Sequence, residues 1–250
     1  MHWHKGGGRS DKFEWSAVTA KVEGTGRMKI AIIGGSGSLG RGLAMRWARS
    51  SHSVIVGSRD SAKAAEVAAQ MNTDAGVTSI TGASNQDAAS QADIVALTVP
   101  YANHSESLKQ IASALDGKIL IDVTVPLKPP KVRTVSLPED GPVAKTSQTI
   151  LGDNVRVVSA FQNVAAAHLA DLDHAIDCDV LVCGNDVDAR ETVIGLANEI
   201  GIKAWHAGVI DNSVVAEALT SVLIFINGKY KIPGAGIQIS GIPADLGDPQ

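Results

Sequence analysis

The apolar run ending in Lys29-Ile-Ala-Ile-Ile33 passes straight into Gly34-Gly-Ser-Gly-Ser-Leu-Gly40, and the helix-like stretch Leu39–Arg49 follows at once. A buried strand entering a glycine-rich turn that opens a helix admits few folds. Inside that context the spacing Gly35-x-Gly37-x-x-Gly40 has mechanical meaning. Gly35 allows the tight turn, Gly37 lets a pyrophosphate approach the backbone, and Gly40 permits close packing of helix on strand. The N–H groups and dipole at the helix start attract an anion, with the Ser36 and Ser38 hydroxyls at hand.

The text around this turn repeats the pattern. "KIAIIG", "SVIVGS", "VTSITG", "DIVALTVP" and "KILIDVTVP" lack polar alternation, as strands buried on both faces of a parallel sheet do. Helix-like segments lie between them, at Leu39–Arg49, Ser61–Met71 and Ser105–Leu115. These features predict an α/β fold, a Rossmann-type doubly wound parallel sheet with right-handed crossovers, over residues 28–152. Pro126, Pro129, Pro130, Pro138 and Pro142 crowd a segment that suits neither a regular helix nor a central strand, which marks the exit from this domain.

Residues 153–250 read as a second βαβαβ pattern: "VRVVSAF", "NVAAAHLADL", "CDVLVCG", a helix Val187–Glu199 and "IKAWHAG". They either extend the same sheet or form a smaller C-terminal α/β lobe on it, and the lobe is the expected arrangement. "NSVVAEALTSVLIFING" then predicts a long apolar helix capped by Asn212 or Ser213, covering the lobe, a partner subunit or both. Residues 1–27 carry a Gly triplet and no sustained period, so they read as a flexible extension. The pair His2 and His4 on that extension is too sparse a ligand set for a metal site, and none is expected elsewhere.

Composition closes off several classes. The chain of 250 residues has a net charge of −4 and no Lys/Arg run, so no nucleic-acid partner is expected. No uninterrupted apolar run reaches the roughly 18 residues that span a bilayer, and no signal-type segment is seen, which points to a cytoplasmic protein without a membrane partner. Cys178 and Cys183 have no companion ligands and are expected to be buried, inert thiols.

The end of the second strand selects the nucleotide. An acidic residue about 20 positions past the fingerprint would accept hydrogen bonds from the ribose diol of NAD and repel a phosphate. This chain has Gly57-Ser58-Arg59 there, with Lys63 one helical turn on. Arg59 can take a 2′-phosphate in bidentate or stacked fashion, Ser58 can donate to it, and Lys63 adds a second positive charge, so the cofactor is NADP(H). The plainer reading leaves Arg59 and Lys63 as solvated charges, with Asp60 free to pair with either.

The nicotinamide belongs at the carboxyl ends of the central strands, where Thr98, Val99, Pro100, Thr124, Val125 and Pro126 are candidate walls. Proline at a strand end is equally a structural stop, and for Pro100 and Pro126 both readings stand.

At this point "MKIAIIGGSGSLGRGLA", "VIVGSRDSAKA", "SITGASNQDAASQADIVALTVP", "VVSAFQNVAA", "CDVLVCGNDVDAR" and "AGVIDNSVVAEALTSVLIFIN" resemble the NADPH-dependent reductases of coenzyme F420, the 8-hydroxy-5-deazaflavin. The resemblance runs from Met28 to about Gly241. It implies that Ser36, Gly37, Ser38 and Leu39 hold the pyrophosphate, that Ser58, Arg59 and Lys63 hold the 2′-phosphate, and that Val99, Val125 and Ala166 flank the nicotinamide end. It also implies that the backbone near Ala235 and Gly236 meets the deazaflavin, and that the protein is a cytoplasmic homodimer. The chain departs from the pattern at Tyr101-Ala-Asn103-His104, among which Asn103 is a candidate cofactor contact. A second departure is Gln162-Asn163-Val164-Ala165, where Ala165 is another candidate.

The implied reaction is reversible hydride transfer between NADP(H) and coenzyme F420. It needs two rings stacked closely, not a strong acid, so no side chain is assigned as catalytic. Small residues such as "VAAA" and "PGAGI" suit that approach, and they suit plain packing equally well. His104 and His206 read first as hydrogen-bonding residues. Two rival readings are an NADPH-dependent reductase of imines or β-hydroxy acids, and a non-catalytic NADP(H)-sensing module. The first normally has a long all-helical region, whereas the second half here looks α/β.

Overall fold

A computed structural model of the chain describes residues 26–241. The extension of residues 1–27, with His2 and His4, lies almost wholly outside the described residues. The sheet starts at β1 (Lys29–Ile33), in which Ile30 to Ile33 have no exposed surface. There follow α1 (Ser38–Arg49), β2 (Ser53–Ser58), α2 (Ser61–Ala75), β3 (Ile80–Ser84), α3 (Asn85–Gln91), β4 (Ile94–Leu97), α4 (His104–Ile111) and β5 (Ile119–Asp122). After a long strap come α5 (Val143–Leu151), β6 (Arg156–Ser159), α6 (Ala166–Ala170), β7 (Val180–Gly184), α7 (Val187–Asn198), β8 (Ala204–Gly208) and α8 (Ser213–Tyr230).

All of these strands join one eight-stranded sheet in the order β3-β2-β1-β4-β5-β6-β7-β8. Every neighbouring pair is parallel except β6 with β7. Of the two arrangements open to the second half, its strands take the first and extend the sheet. Because β7 runs backwards, its first residues stand at the edge where β1 to β6 end.

The apolar strands are covered on both sides, as their composition requires. Ile30 and Ile32 face one core with Trp47, Phe161 and Leu196, while Ala31 and Ile33 face the other with Leu108, Ile111 and Leu120. Trp47 on α1 meets Phe161 edge to face at 5.9 Å and donates its indole N–H to the Leu196 carbonyl at 3.0 Å. Arg46, one residue earlier, donates to the carbonyls of His168, Leu169, Asp171 and His174. One helix thus ties the nucleotide half to the C-terminal half.

Some elements differ from expectation. "NVAAAHLADL" forms only the short α6, and the helix expected over Ser105–Leu115 ends at Ile111 in a 3₁₀ turn over Ala112–Ala114. Two helices come without a sequence expectation. Ser84 caps α3 by accepting from the Asp87 N–H at 3.1 Å. The start of α5 is capped from a distance: Glu217 of α8 accepts from the Val143 and Ala144 N–H groups.

Candidate active site

The order of the strands reverses between β1 and β4, the switch point at which open α/β sheets bind ligands. A cleft of about 730 Å³ opens there. Its lining includes Ser36, Gly37, Ser38 and Leu39; Ser58, Arg59 and Lys63; Thr98, Val99, Pro100 and Asn103; and Val125. Residues dispersed over ninety positions meet on one surface because each lies at the carboxyl end of a parallel strand or in the turn or first helical turn that follows it. Gly35, Gly40, Pro126, Ala165, Ala166, Ala235 and Gly236 do not line this cleft.

The glycines divide their work differently from the sequence reading. The left-handed turn falls on Gly34, with φ +82°, where a Cβ would stand 2.8 Å from Val99 Cγ1. Gly35, assigned the turn above, is instead pressed against β1 and β2: its Cβ would lie 3.0 Å from Val56 Cγ1 and 3.1 Å from the Ile32 carbonyl oxygen. Gly40 has the expected packing role, since a Cβ would come within 2.5 Å of Thr98 Oγ1. Gly37 has only the Gly34 carbonyl within 4 Å, at 3.5 Å, and it caps α1 with no side chain and no acid in the first turn. That helix end is open to an anion.

At the 2′-phosphate position, Asp60 is occupied elsewhere. Its carboxylate accepts from the Ala62 and Lys63 N–H groups and caps α2. Among the described residues neither Arg59 nor Lys63 forms an ion pair. Both are exposed at the cleft.

The cleft also holds polar atoms that need a partner. Asn85 Oδ1, beside the adenosine end, and Thr124 Oγ1, beside the nicotinamide walls, are buried without a hydrogen bond. An unpaired buried acceptor is costly; at the surface of the cleft, the open start of α1 and the exposed Arg59 and Lys63 suit the pyrophosphate and the 2′-phosphate. The residues present therefore fit NADP(H).

Beneath the nicotinamide walls lies a cluster the sequence reading missed. Asp122 Oδ2 is 2.8 Å from His104 Nε2 and accepts from Ser147 Oγ at 2.6 Å, while its Oδ1 accepts from the Thr124 N–H at 3.0 Å. Burial pushes the Asp122 carboxyl up, but the hydrogen bond and charge of His104, with the Ser147 and Thr124 donors, hold it below the ordinary carboxylate range. His104 is therefore a buried hydrogen-bonding residue at the base of the wall. The available signal was an aspartate closing the otherwise apolar "ILID". His206 lies on β8, away from the cleft, and accepts from Arg190 at 3.3 Å.

The tail after α8 packs against the start of α6 and the segment that leads into β7. A Cβ on Gly234 would lie 2.8 Å from Ala165 Cβ and 2.3 Å from the His168 ring, and one on Gly236 would lie 2.3 Å from Cys178 Cβ. The Ala235 N–H donates to Asn227 Oδ1 at 2.7 Å, and the Asp179 N–H donates to the Ile237 carbonyl at 2.8 Å. Ala165, Ala235 and Gly236 thus come together at the sheet edge where β1 to β6 end. Cys178 and Cys183 are buried as expected, and burial first of all pushes both thiols up to about 11. Among the described residues no group of three metal-ligating side chains occurs.

Known proteins share these features. The sequence profile of the family described as NADP oxidoreductase, coenzyme F420-dependent, matches residues 29–126. An F420-dependent NADP reductase of Methanocaldococcus jannaschii is 44% identical over 223 residues, covering 86% of this chain and 99% of the relative. One from Methanothermobacter thermautotrophicus is 38% identical over 223 residues, 86% of this chain and 96% of that one. A solved structure from Arthrobacter sp. FB24, named for the same activity, superposes with a TM-score of 0.71 at 26% identity, covering 85% of this chain and 99% of that one. With identity sustained over nearly the whole of each relative, and the glycine turn and unpaired cations in one cleft, the chain belongs to the F420-dependent NADP reductase family.

Proposed function

We propose that this protein is an NADPH:F420 oxidoreductase that moves a hydride reversibly between NADP(H) and coenzyme F420. The observation that carries the reading is the cleft in which the cations after β2, the open helix start after β1 and the small apolar walls after β4 and β5 follow the order of the sheet, which is the order of a dinucleotide's 2′-phosphate, pyrophosphate and nicotinamide. When both cofactors are bound, the hydride passes between C4 of the nicotinamide and C5 of the deazaflavin. The chain's part is placement. Gly37 to Leu39 hold the pyrophosphate, Ser58, Arg59 and Lys63 the 2′-phosphate, and Thr98 to Pro100 with Val125 the nicotinamide. Asp122 fixes the Thr124 backbone and so the wall that excludes water. Ala166 flanks the nicotinamide end and the Ala235–Gly236 backbone meets the deazaflavin, so residues 153–250 complete the site begun by residues 28–152.

We also infer a homodimer. On α8, Val215, Val222 and Phe225 are 57%, 43% and 52% exposed, with Leu219 and Ile226 half-buried between them. This is one continuous apolar stripe at helical spacing. The segment Ile210–Tyr230 is long and apolar enough to cross a membrane, with a mean hydropathy of 1.3, although Glu217 and Thr220 interrupt every run. Those interruptions point inward: Glu217 caps α5 and Thr220 donates to the Gln162 carbonyl at 2.8 Å. One face is thus spent on the protein's own body, and a second copy suits the other. A cytoplasmic location fits the free Cys178 and Cys183.

The test is anaerobic mixing with NADPH and oxidised coenzyme F420, following loss of the deazaflavin absorbance, with NADH and flavin mononucleotide as controls. Bleaching by NADPH is expected. A protein that binds NADPH but bleaches nothing would rule out the deazaflavin and return the imine-type reductase and the sensing module to consideration.

A further inference from the structure

In a chain of net charge −4, several stretches carry cations and no acid, and two of them concern the cleft. Between Asp122 and Glu139 stand Lys128, Lys131 and Arg133. After Glu217, to the end of the described chain, stand Lys229 and Lys231. The fold joins the two. The strap after β5 lines the cleft with Leu127, Pro129 and Val132, so Lys128 and Lys131 alternate with residues at its mouth. Tandem turns set that alternation, with the Lys131 N–H donating to the Lys128 carbonyl at 3.0 Å and the Thr134 N–H to the Lys131 carbonyl at 3.1 Å. Arg133 then lies flat on α8: a Cβ on Gly228 would stand 2.7 Å from its Cζ. Lys229 and Lys231 follow directly, and Asn227 beside them holds the Ala235 N–H. Lys128 and Lys131 thus flank cleft-lining residues of the strap, while Arg133, Lys229 and Lys231 gather at the end of α8, whose Asn227 holds the backbone assigned to the deazaflavin. All five are exposed, and none is in an ion pair among the described residues.

We propose that this patch is the binding site for the anionic side chain of coenzyme F420, the phosphodiester and glutamate carboxylates that trail from the deazaflavin ring. The proposal rests on the deazaflavin reading above. A ring stacked against the walls leaves its side chain to exit through the cleft mouth, where like-signed unpaired cations already stand. Each exposed contact is weak, but several cations facing several anions sum, and the sum is screened by salt.

The experiment is equilibrium binding, read by fluorescence anisotropy of the oxidised deazaflavin without NADPH. It compares coenzyme F420 with its ring-plus-ribityl fragment, which lacks phosphate and glutamates, for the wild type and for Lys128→Glu/Lys131→Glu. The wild type is expected to favour the intact coenzyme, with the preference shrinking at 0.5 M salt. The double variant should weaken coenzyme F420 binding about tenfold while changing fragment binding less than about twofold. Equal effects on both ligands, or none on either, would overturn the proposal. Failure of the wild type to bind even the fragment would overturn the deazaflavin reading itself, so the two failures are separable. NADPH binding of the double variant checks that the fold is intact.

Discussion

Among the described residues Arg59 and Lys63 reach the cleft without an ion-pair partner, and Asp60 is engaged in capping α2. Replacing Arg59 by Asp exchanges an attraction for a repulsion at the 2′-phosphate. With charge-assisted contacts worth about 2 kcal/mol, the NADPH KM should rise about thirtyfold or more, with little change for NADH. Steady-state kinetics with both nucleotides checks this, and equal effects would refute the role of the Ser58-Arg59 pair. Glu217 makes a pH prediction. Burial pushes its carboxyl up to about 7 despite the Val143, Ala144 and Ser213 donors. Its proton is held more tightly folded than unfolded, so this group's contribution to stability is fully present below the ordinary glutamate range. It is lost as pH rises from there to about 7, by on the order of 3 kcal/mol. Urea unfolding of the wild type and of Glu217→Gln at pH 5 and pH 8 should show that loss in the wild type and little of it in the variant.

At the scale of the element, the turn from β1 into α1 assigns separate duties to neighbouring glycines. Gly40→Ala pushes a methyl group toward Thr98 Oγ1 and the Gly35 Cα, so α1 must move off the sheet, at a cost of about 1–3 kcal/mol. Gly37→Ala meets almost nothing in the protein, and its methyl group enters the space meant for the pyrophosphate. Gly40→Ala should therefore lower Tm, whereas Gly37→Ala should keep Tm and weaken NADPH binding about tenfold, since a lost phosphate contact is charge-assisted. Thermal melts paired with nucleotide titration separate the two. The same turn shows the limit of motif spacing: Gly35-x-Gly37-x-x-Gly40 marks the loop, yet the positive φ sits on Gly34, outside the pattern.

Across the whole molecule, α8 divides its surface between the protein's own body and the exposed stripe of Val215, Val222 and Phe225. Val222→Arg with Phe225→Glu should convert a dimer into a monomer in light scattering and leave NADPH binding by the β1–β4 cleft intact. The parallel sheet, the phosphate turn and the choice of NADP(H) were legible in the chain itself. Unbroken apolar runs demand two covered faces, and strand–glycine–helix spacing and an Arg in place of an acid are local chemistry. Local signals could not reveal the backward run of β7, the tail strapped to Asp179, the Asp122–His104–Ser147 cluster or the meeting of Arg133 with Gly228. Asp122 and Ser147 are 25 positions apart and Arg133 and Gly228 far more, and nothing in either residue announces the other. Such contacts exist because sheet order brings strand ends together, and burial of distant surfaces, which only the closed fold supplies, sets which polar atoms must find one another.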